Sequence, residues 1–266
     1  MEGGLVLAVV ADSRADPPPQ SRCTAGTLNL MDAARQWLKK ARSVAVLTGA
    51  GVSAESGVPT FRGNGGLWKQ HRAENLATPE AFARDPKLVW EWYDWRRSVL
   101  AEARPNPGHC ALVELEKRVP AFTLITQNVD GLHELAGSRN VLRLHGSIWI
   151  LRCLACGRER EDRTTRLPEI PPRCECGGLL RPGVVWFGEA LPPKVWQAAE
   201  AAARSSDLFL VIGTSAVVYP AAGLAPIAKS AGARVVEINV AETTLSDEID
   251  EFLQGPSGEL LPRLIA

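Results

Sequence analysis

Apolar residues in this chain gather into short runs of aliphatic and β-branched side chains, separated by longer segments with helical spacing. Val44 to Leu47, Ala121 to Thr126, Val141 to Leu144, Leu208 to Ile212 and Val235 to Ile238 are too short for helices and lack the alternation of a half-exposed strand. They therefore read as strands buried on both faces. Val184 to Phe187 is a further strand-like run. Leu30, Ala34, Trp37, Leu38 and Ala41 recur at helical spacing and predict an amphipathic helix over 30–42. Residues 78–104 read as mostly helical from Thr78-Pro79, and Pro105-Asn106-Pro107 breaks the pattern before it resumes over 108–117. Helices are also predicted over 195–204 and 220–230. This alternation predicts an α/β fold, a Rossmann-like parallel sheet with helices on both faces. Two interruptions, a helical one at 67–119 and a charged, cysteine-bearing one at 151–180, predict a smaller lobe. The large lobe would then comprise 30–66, 120–150 and 181–266. Residues 1–29, with Pro17-Pro-Pro19 among small polar neighbours, read as a disordered extension. Met31, where the periodic sequence begins, is an alternative start.

Ligands of open parallel sheets bind at the carboxyl ends of the strands, and here those ends carry Gly49, Gln127, His145, Gly213 and Asn239. Gly49, Gly51 and Ala54 fit the permissive dinucleotide fingerprint G-x-G-x-x-G/A, in which glycine lets the backbone approach a pyrophosphate at a helix N-terminus. An ordinary strand-to-helix turn has the same spacing. A dehydrogenase would continue to a second strand ending in an acid, but Pro59 cuts the helix short and Thr60 to Gly66 reads as a glycine-rich loop.

Cys153-Leu-Ala-Cys156 and Cys174-Glu-Cys176 place four thiols on two short turns. Soft sulfur ligands in that number suit tetrahedral zinc with no open position, hence one structural Zn2+ holding a lobe too small to fold alone. Four buried or redox cysteines are the competing reading. Cys23 and Cys110 stand alone as plain thiols, which favours a reducing, cytoplasmic setting. Lys plus Arg number 30 and Asp plus Glu 30, so no overall field recruits nucleic acid or an acidic membrane. The apolar runs are far too short to span a bilayer, and the first residues lack the basic region of a secretory signal.

Gly49-Ala-Gly-Val-Ser53, Ser56-Gly-Val-Pro-Thr-Phe-Arg62, Thr126-Gln-Asn-Val-Asp130 and Leu144-His-Gly146 resemble, in order along the chain, the motifs of the sirtuins, NAD-dependent protein deacylases. The likeness covers roughly 31–266. It implies that NAD+ is a co-substrate and that acyl-lysine proteins or peptides are the partners. The acyl oxygen would attack the ribose carbon bearing nicotinamide, and His145 would then act as general base on a ribose hydroxyl. Free lysine, nicotinamide and O-acyl-ADP-ribose would result. Asn128 and Asp130 join His145 as catalytic residues in this reading. Gly49, Ala50, Gly51, Ser53, Ala54, Phe61, Arg62, Trp68, Gln127 and Val129 would line the phosphate, ribose and nicotinamide end of the NAD site. Gly213, Thr214, Ser215, Asn239, Val240, Ala241 and Ser257 would line its adenosine end.

Val184 to Gly188 and Val217 to Tyr219 read as exposed edges beside the cleft, to which a substrate peptide could add as a strand. Val185, Trp186, Phe187 and Gly188 are accordingly substrate-binding candidates; ordinary core strands are the alternative. Tyr93 and Arg96, three apart on a helix, share a face. This Tyr-x-x-Arg resembles the sirtuin subgroup that removes succinyl, malonyl and glutaryl groups, where the pair binds the distal carboxylate. Deacetylation is expected alongside, with the acidic acyl group preferred. Asn64 stands where a small residue is common in some relatives and could narrow the acyl channel. Two other functions use the same residues: mono-ADP-ribosyl transfer to protein from one NAD pocket, and a non-catalytic zinc-ribbon module. Monomers are plausible.

Overall fold

The computed structural model describes residues 5–9, 24–60, 67–68 and 71–266. Along the chain lie β1 (Ala8–Val9), α1 (Thr24–Lys40), β2 (Ser43–Thr48), α2 (Gly51–Ala54), β3 (Leu67–Trp68), β4 (His71–Arg72), α3 (Ala73–Leu76), α4 (Pro79–Arg84), α5 (Pro86–Glu102) and α6 (Pro107–Arg118). Then follow β5 (Ala121–Thr126), α7 (Leu132–Ala136), β6 (Val141–Arg143), β7 (Gly146–Cys153), β8 (Glu159–Glu161), β9 (Leu180–Val184) and α8 (Pro193–Ser205). The chain ends with β10 (Leu208–Ile212), β11 (Val218–Tyr219), α9 (Leu224–Ser230), β12 (Arg234–Asn239), β13 (Glu251–Gln254) and α10 (Ser257–Ile265).

The five predicted buried strands form one parallel sheet together with β13, which the sequence reading did not name, in the order β13-β12-β10-β2-β5-β6. Their side chains point alternately to two helix-covered faces. Val44, Val46, Leu124, Leu210 and Ile212 pack with Met31, Leu112 and Leu261 from α1, α6 and α10. Ala45, Leu47, Ile125, Phe209 and Val211 pack with Ala199, Ala203 and Leu224 from α8 and α9. Strand order reverses between β2 and β10, which is where a doubly wound sheet opens a crevice above its carboxyl ends.

The smaller lobe sets α4 and α5 against the antiparallel sheet β8-β7-β9. Trp90, Trp92, Ile148, Leu151 and Trp186 fill its core. Three polar ties hold α5 to the lobe: Trp90 Nε1 donates to Leu180 O at 2.8 Å, Leu167 N to Asp94 Oδ1 at 3.0 Å, and the buried Arg97 pairs with Asp162 at 2.7 Å.

Several boundaries differ from the sequence reading. The helix expected over 78–104 divides at Asp85, which leaves helical geometry and caps α5 by accepting from Leu88 N at 2.9 Å, with Pro86 in the first turn. Residues 107–118 belong to the large lobe, because Ala111, Leu112 and Leu115 pack into the sheet's core. Residues 146–150 move the opposite way, as the start of β7. The strand expected at Val184 to Phe187 ends at Val184. There Arg181 grips Glu189, whose carboxylate accepts from Trp186 N at 2.8 Å and folds the chain into a turn. The extension is structured in part: residues 5–9 hold a strand, and α1 begins at Thr24, with Met31 only 1% exposed within it. Among the described residues no helix is long and apolar enough to cross a membrane.

Candidate active site

A cavity of about 380 Å³ opens at the strand-order reversal. Gly49, Ala50 and Gly51 from the β2–α2 turn and Gly213, Thr214 and Ser215 after β10 line it together with Gln127, Asn128, Val129 and His145. The glycines are required for a reason that spacing alone does not show. A Cβ at Gly49 would lie 2.8 Å from Gly213 O, and one at Gly51 would lie 2.7 Å from Gly213 Cα. The two strand-end turns therefore touch backbone to backbone, and Gly51 N donates to Gly213 O at 2.7 Å. Their closeness brings the ends of β2 and β10 to one wall.

His145 follows β6 and is 9% exposed. Its Nδ1 lies 2.9 Å from the carbonyl oxygen of Gln127. A carbonyl can only accept, so Nδ1 carries the proton and Nε2 the lone pair. Nε2 is buried and has no hydrogen-bond partner among the described residues. Burial pushes the imidazole down to about 4, so at neutral pH the ring is uncharged and its lone pair is free to take a proton.

Asn128 gives its amide hydrogens to Gly49 O at 3.0 Å and to Ser53 Oγ at 3.2 Å. Its carbonyl end is therefore the one left for the cavity it lines. Ser53 Oγ in turn donates to Asp130 Oδ2 at 2.8 Å, and Asp130 Oδ1 accepts from Leu132 N at 2.9 Å. Burial raises the Asp130 carboxyl above the usual carboxylate range. Ser53 and Asp130 thus lie one layer beneath the cavity and position Asn128. Gln127 Nε2 donates to Thr214 Oγ1 at 3.0 Å, which ties the β5 loop to the β10 loop.

At the end that the resemblance assigned to adenosine, Asn239, Val240 and Ala241 line the cavity, joined by Glu242 and Thr243. Glu237, wholly buried on β12, holds that loop by accepting from Thr243 Oγ1 at 2.9 Å and Ser246 Oγ at 2.5 Å. Sequence reasoning missed Glu237, although an acid inside an apolar strand is a usable signal. Ser257 is not in the lining among the described residues; it is buried at the start of α10, beside Gly258, whose N–H donates to Glu55 Oε2 at 2.7 Å. Ala54 is exposed on α2 and also stands outside the lining. Phe61, Arg62 and Asn64 lie outside the described residues, as does the side chain of Trp68 on β3.

The same cavity runs on to Tyr93 and Arg96 of α5 and to Val185 and Phe187. Tyr93 is 2% exposed and its hydroxyl accepts from Trp186 Nε1 at 2.9 Å, so the hydroxyl hydrogen remains to be donated. Burial pushes this phenol up to about 12 and keeps it protonated. Arg96 is partly buried with its guanidinium 5.0 Å from the Trp92 ring centre. Trp186 and Gly188 do not reach the cavity; Trp186 is instead sandwiched in the core, 5.2 Å from Phe82.

The four predicted cysteines converge, with all four sulfurs within 4.8 Å of one another. Cys153 to Cys176 measures 3.5 Å and Cys156 to Cys174 3.8 Å, close to the ~3.8 Å edge of a tetrahedron with ~2.3 Å Zn–S bonds. Backbone amides of Cys156 and Ala155 draw the Cys153 thiol down to about 6. Cys176, despite the amide of Gly178, is pushed up to about 11 by its three sulfur neighbours. Four thiolates cannot coexist so closely without a cation, and structural zinc fits the set.

A reversal-point crevice lined by glycine turns and an uncharged imidazole defines a dinucleotide-binding α/β protein of the doubly wound type. The chain belongs to the Sir2 family, whose model matches residues 49–220. It is 59% identical over 230 residues to "NAD-dependent protein deacylase 2" of Pyrobaculum aerophilum, covering 86% of this chain and 92% of that one. A solved Sir2 homolog–NAD complex superposes with a TM-score of 0.84 at 49% identity, covering 88% of this chain and 92% of that one. A Sir2–p53 peptide–NAD+ structure does so at 0.81 and 31%, covering 88% and 97%.

Proposed function

We propose that this protein removes acyl groups from protein lysines at the expense of NAD+, and that it prefers acyl groups ending in a carboxylate. The carrying observation is the continuity of one cavity from the Gly49–Gly51 turn past His145 to Tyr93 and Arg96. The dinucleotide is consumed: it supplies the ribose that receives the acyl group and releases nicotinamide. Within that reaction His145 Nε2 takes a proton from a ribose hydroxyl, while Gln127 O holds the opposite ring nitrogen in the required tautomer. Asn128, fixed through Ser53 and Asp130, orients the sugar. The apolar walls formed by Val129, Val185 and Phe187 keep water from the reacting carbon.

The preference for acidic acyl groups rests on Tyr93 and Arg96. A carboxylate entering a partly dry pocket loses hydration and requires charge-assisted hydrogen bonds in exchange. A protonated phenol and a guanidinium on one helix face supply both. The absence of a disulfide at Cys110 and at the four clustered cysteines, whose sulfurs zinc would hold reduced, fits a cytoplasmic setting. The deciding experiment incubates the protein with NAD+ and acetyl-, succinyl- or glutaryl-lysine peptides and follows nicotinamide and O-acyl-ADP-ribose. Acyl-dependent nicotinamide release with the highest kcat/KM on succinyl or glutaryl peptide supports the reading. Label from NAD+ retained on protein, without deacylated peptide, would instead indicate ADP-ribosyl transfer.

A further inference from the structure

The crevice has an occupant supplied by the chain itself. Residues 5–9 lie between the two segments that flank the cavity mouth. On one side Leu7 N donates to Glu189 O at 2.9 Å, Gly188 N donates to Leu7 O at 3.0 Å and Leu191 N donates to Leu5 O at 3.1 Å, with Val6 bridged antiparallel to Ala190. On the other side Ala8 pairs with Tyr219 and Val9 with Val218, also antiparallel. Among the described residues β11 has no other strand partner. Alternation along the strand aims Leu7 and Val9 at the cavity, and both line it beside His145 and Phe187. Leu7 is 4% exposed, whereas Leu5, Val6 and Val9 are 43% exposed or more, so a single side chain anchors the segment.

We infer that residues 5–9 are a tethered competitor for the acyl-peptide groove, seated as an added strand with Leu7 at the place of the acylated lysine. The inference rests on the deacylase reading and adds to it a built-in occupant that a substrate must displace. Backbone pairing of this kind reads strand geometry rather than sequence, so a peptide from another protein meets the same donors and acceptors. Leucine fills the mouth but carries no acyl oxygen, so the segment occupies the groove without being turned over. A tethered segment acts at an effective concentration in the millimolar range. Against a groove that binds such a strand with a dissociation constant of a few tenths of a millimolar, the penalty on peptide binding is about 3–10-fold.

The test compares the intact chain with Leu7→Pro, which removes the Leu7 N–H and the anchoring side chain, and with a chain lacking residues 1–9. Binding of a fluorescent succinyl-lysine peptide is measured by anisotropy, and backbone amide exchange at Gly188 and Leu191 by NMR or mass spectrometry. The expected result is about 3–10-fold tighter peptide binding in both variants and faster exchange at both amides. Equal peptide affinity in all three chains, or unchanged exchange at Gly188 and Leu191, overturns the inference while leaving the deacylase reading intact. Failure of every chain to bind any acyl-lysine peptide overturns the deacylase reading, and the competition with it.

Discussion

Replacing Arg96 by methionine tests the acyl preference where the structure makes it quantitative. Methionine keeps an unbranched apolar stem of similar length against the Trp92 ring, which the guanidinium overlies at 5.0 Å, and removes only the charged fork. A hydrogen bond to a charged group is worth about 1.5–3 kcal/mol, because the partner otherwise enters the pocket without replacement for its water. At about 1.4 kcal/mol per factor of ten, Arg96→Met should lower kcat/KM on a succinyl peptide by roughly 10–150-fold. The acetyl peptide, which has no distal carboxylate, should change by less than about 3-fold. Tyr93→Phe removes a neutral donor and should cost about 2–10-fold on succinyl peptide. It also leaves Trp186 Nε1 without its 2.9 Å acceptor in the core, so a stability loss of about 1–3 kcal/mol should accompany it. The assay is steady-state nicotinamide release on matched acetyl and succinyl peptides, with denaturant unfolding of each variant as the companion measurement. Equal losses on both acyl groups, or none on succinyl, would refute the carboxylate-binding assignment.

His145→Ala should fold and still bind NAD+, because Gln127 O is the ring's only hydrogen-bond partner among the described residues, yet lose at least ~10²-fold in turnover; near-native turnover would remove it as the base. Zinc should be present at one per chain, and Cys153→Ala or a strong chelator should unfold the small lobe, seen as loss of near-UV signal from Trp90, Trp92 and Trp186. Stability should fall as pH drops from about 6.5 toward 4. His109, His133 and His145 are held down to about 4, 3 and 4 by burial, so over that range the unfolded chain binds protons that the folded chain refuses. Each histidine can contribute up to about 1.4 kcal/mol per pH unit there, and urea midpoints at pH 7 and 5 check both sign and size.

The sheet was legible because burial on both faces writes itself as unbroken apolar runs, and the strand ends named from those runs do meet at one cavity. Elements whose burial is one-sided or irregular were harder to read. β7 continues directly from the His145-Gly146 turn and ends in the first cysteine, so its apolar run Ile148 to Leu151 is divided between two motifs. In α10, Leu260, Leu261 and Leu264 are buried in helical register, but Pro262 inside the helix argues locally against it. The Arg181–Glu189 pair, eight residues apart, ends β9 at Val184, and no local propensity reports such a contact. For the site, the motifs named residues of which many do meet at one cavity, but not how deep each lies. Asn128, Ser53 and Asp130 are hydrogen-bonded in series, and the latter two lie a layer below the cavity, a depth that motif spacing does not report. Residues 5–9 carried no motif at all, because a strand added to an edge is recognised by its backbone.

The crevice is assembled from two foundations. Gly49, Gln127, His145 and Gly213 stand at the ends of the parallel strands, whereas Tyr93 and Arg96 ride on α5, which Trp90, Asp94 and Arg97 moor to the cysteine-bearing lobe. Under the proposed function, the groups that meet the acyl chain are therefore held by one half and the dinucleotide site by the other. Partial demetallation should accordingly blur acyl discrimination before it abolishes dinucleotide uptake.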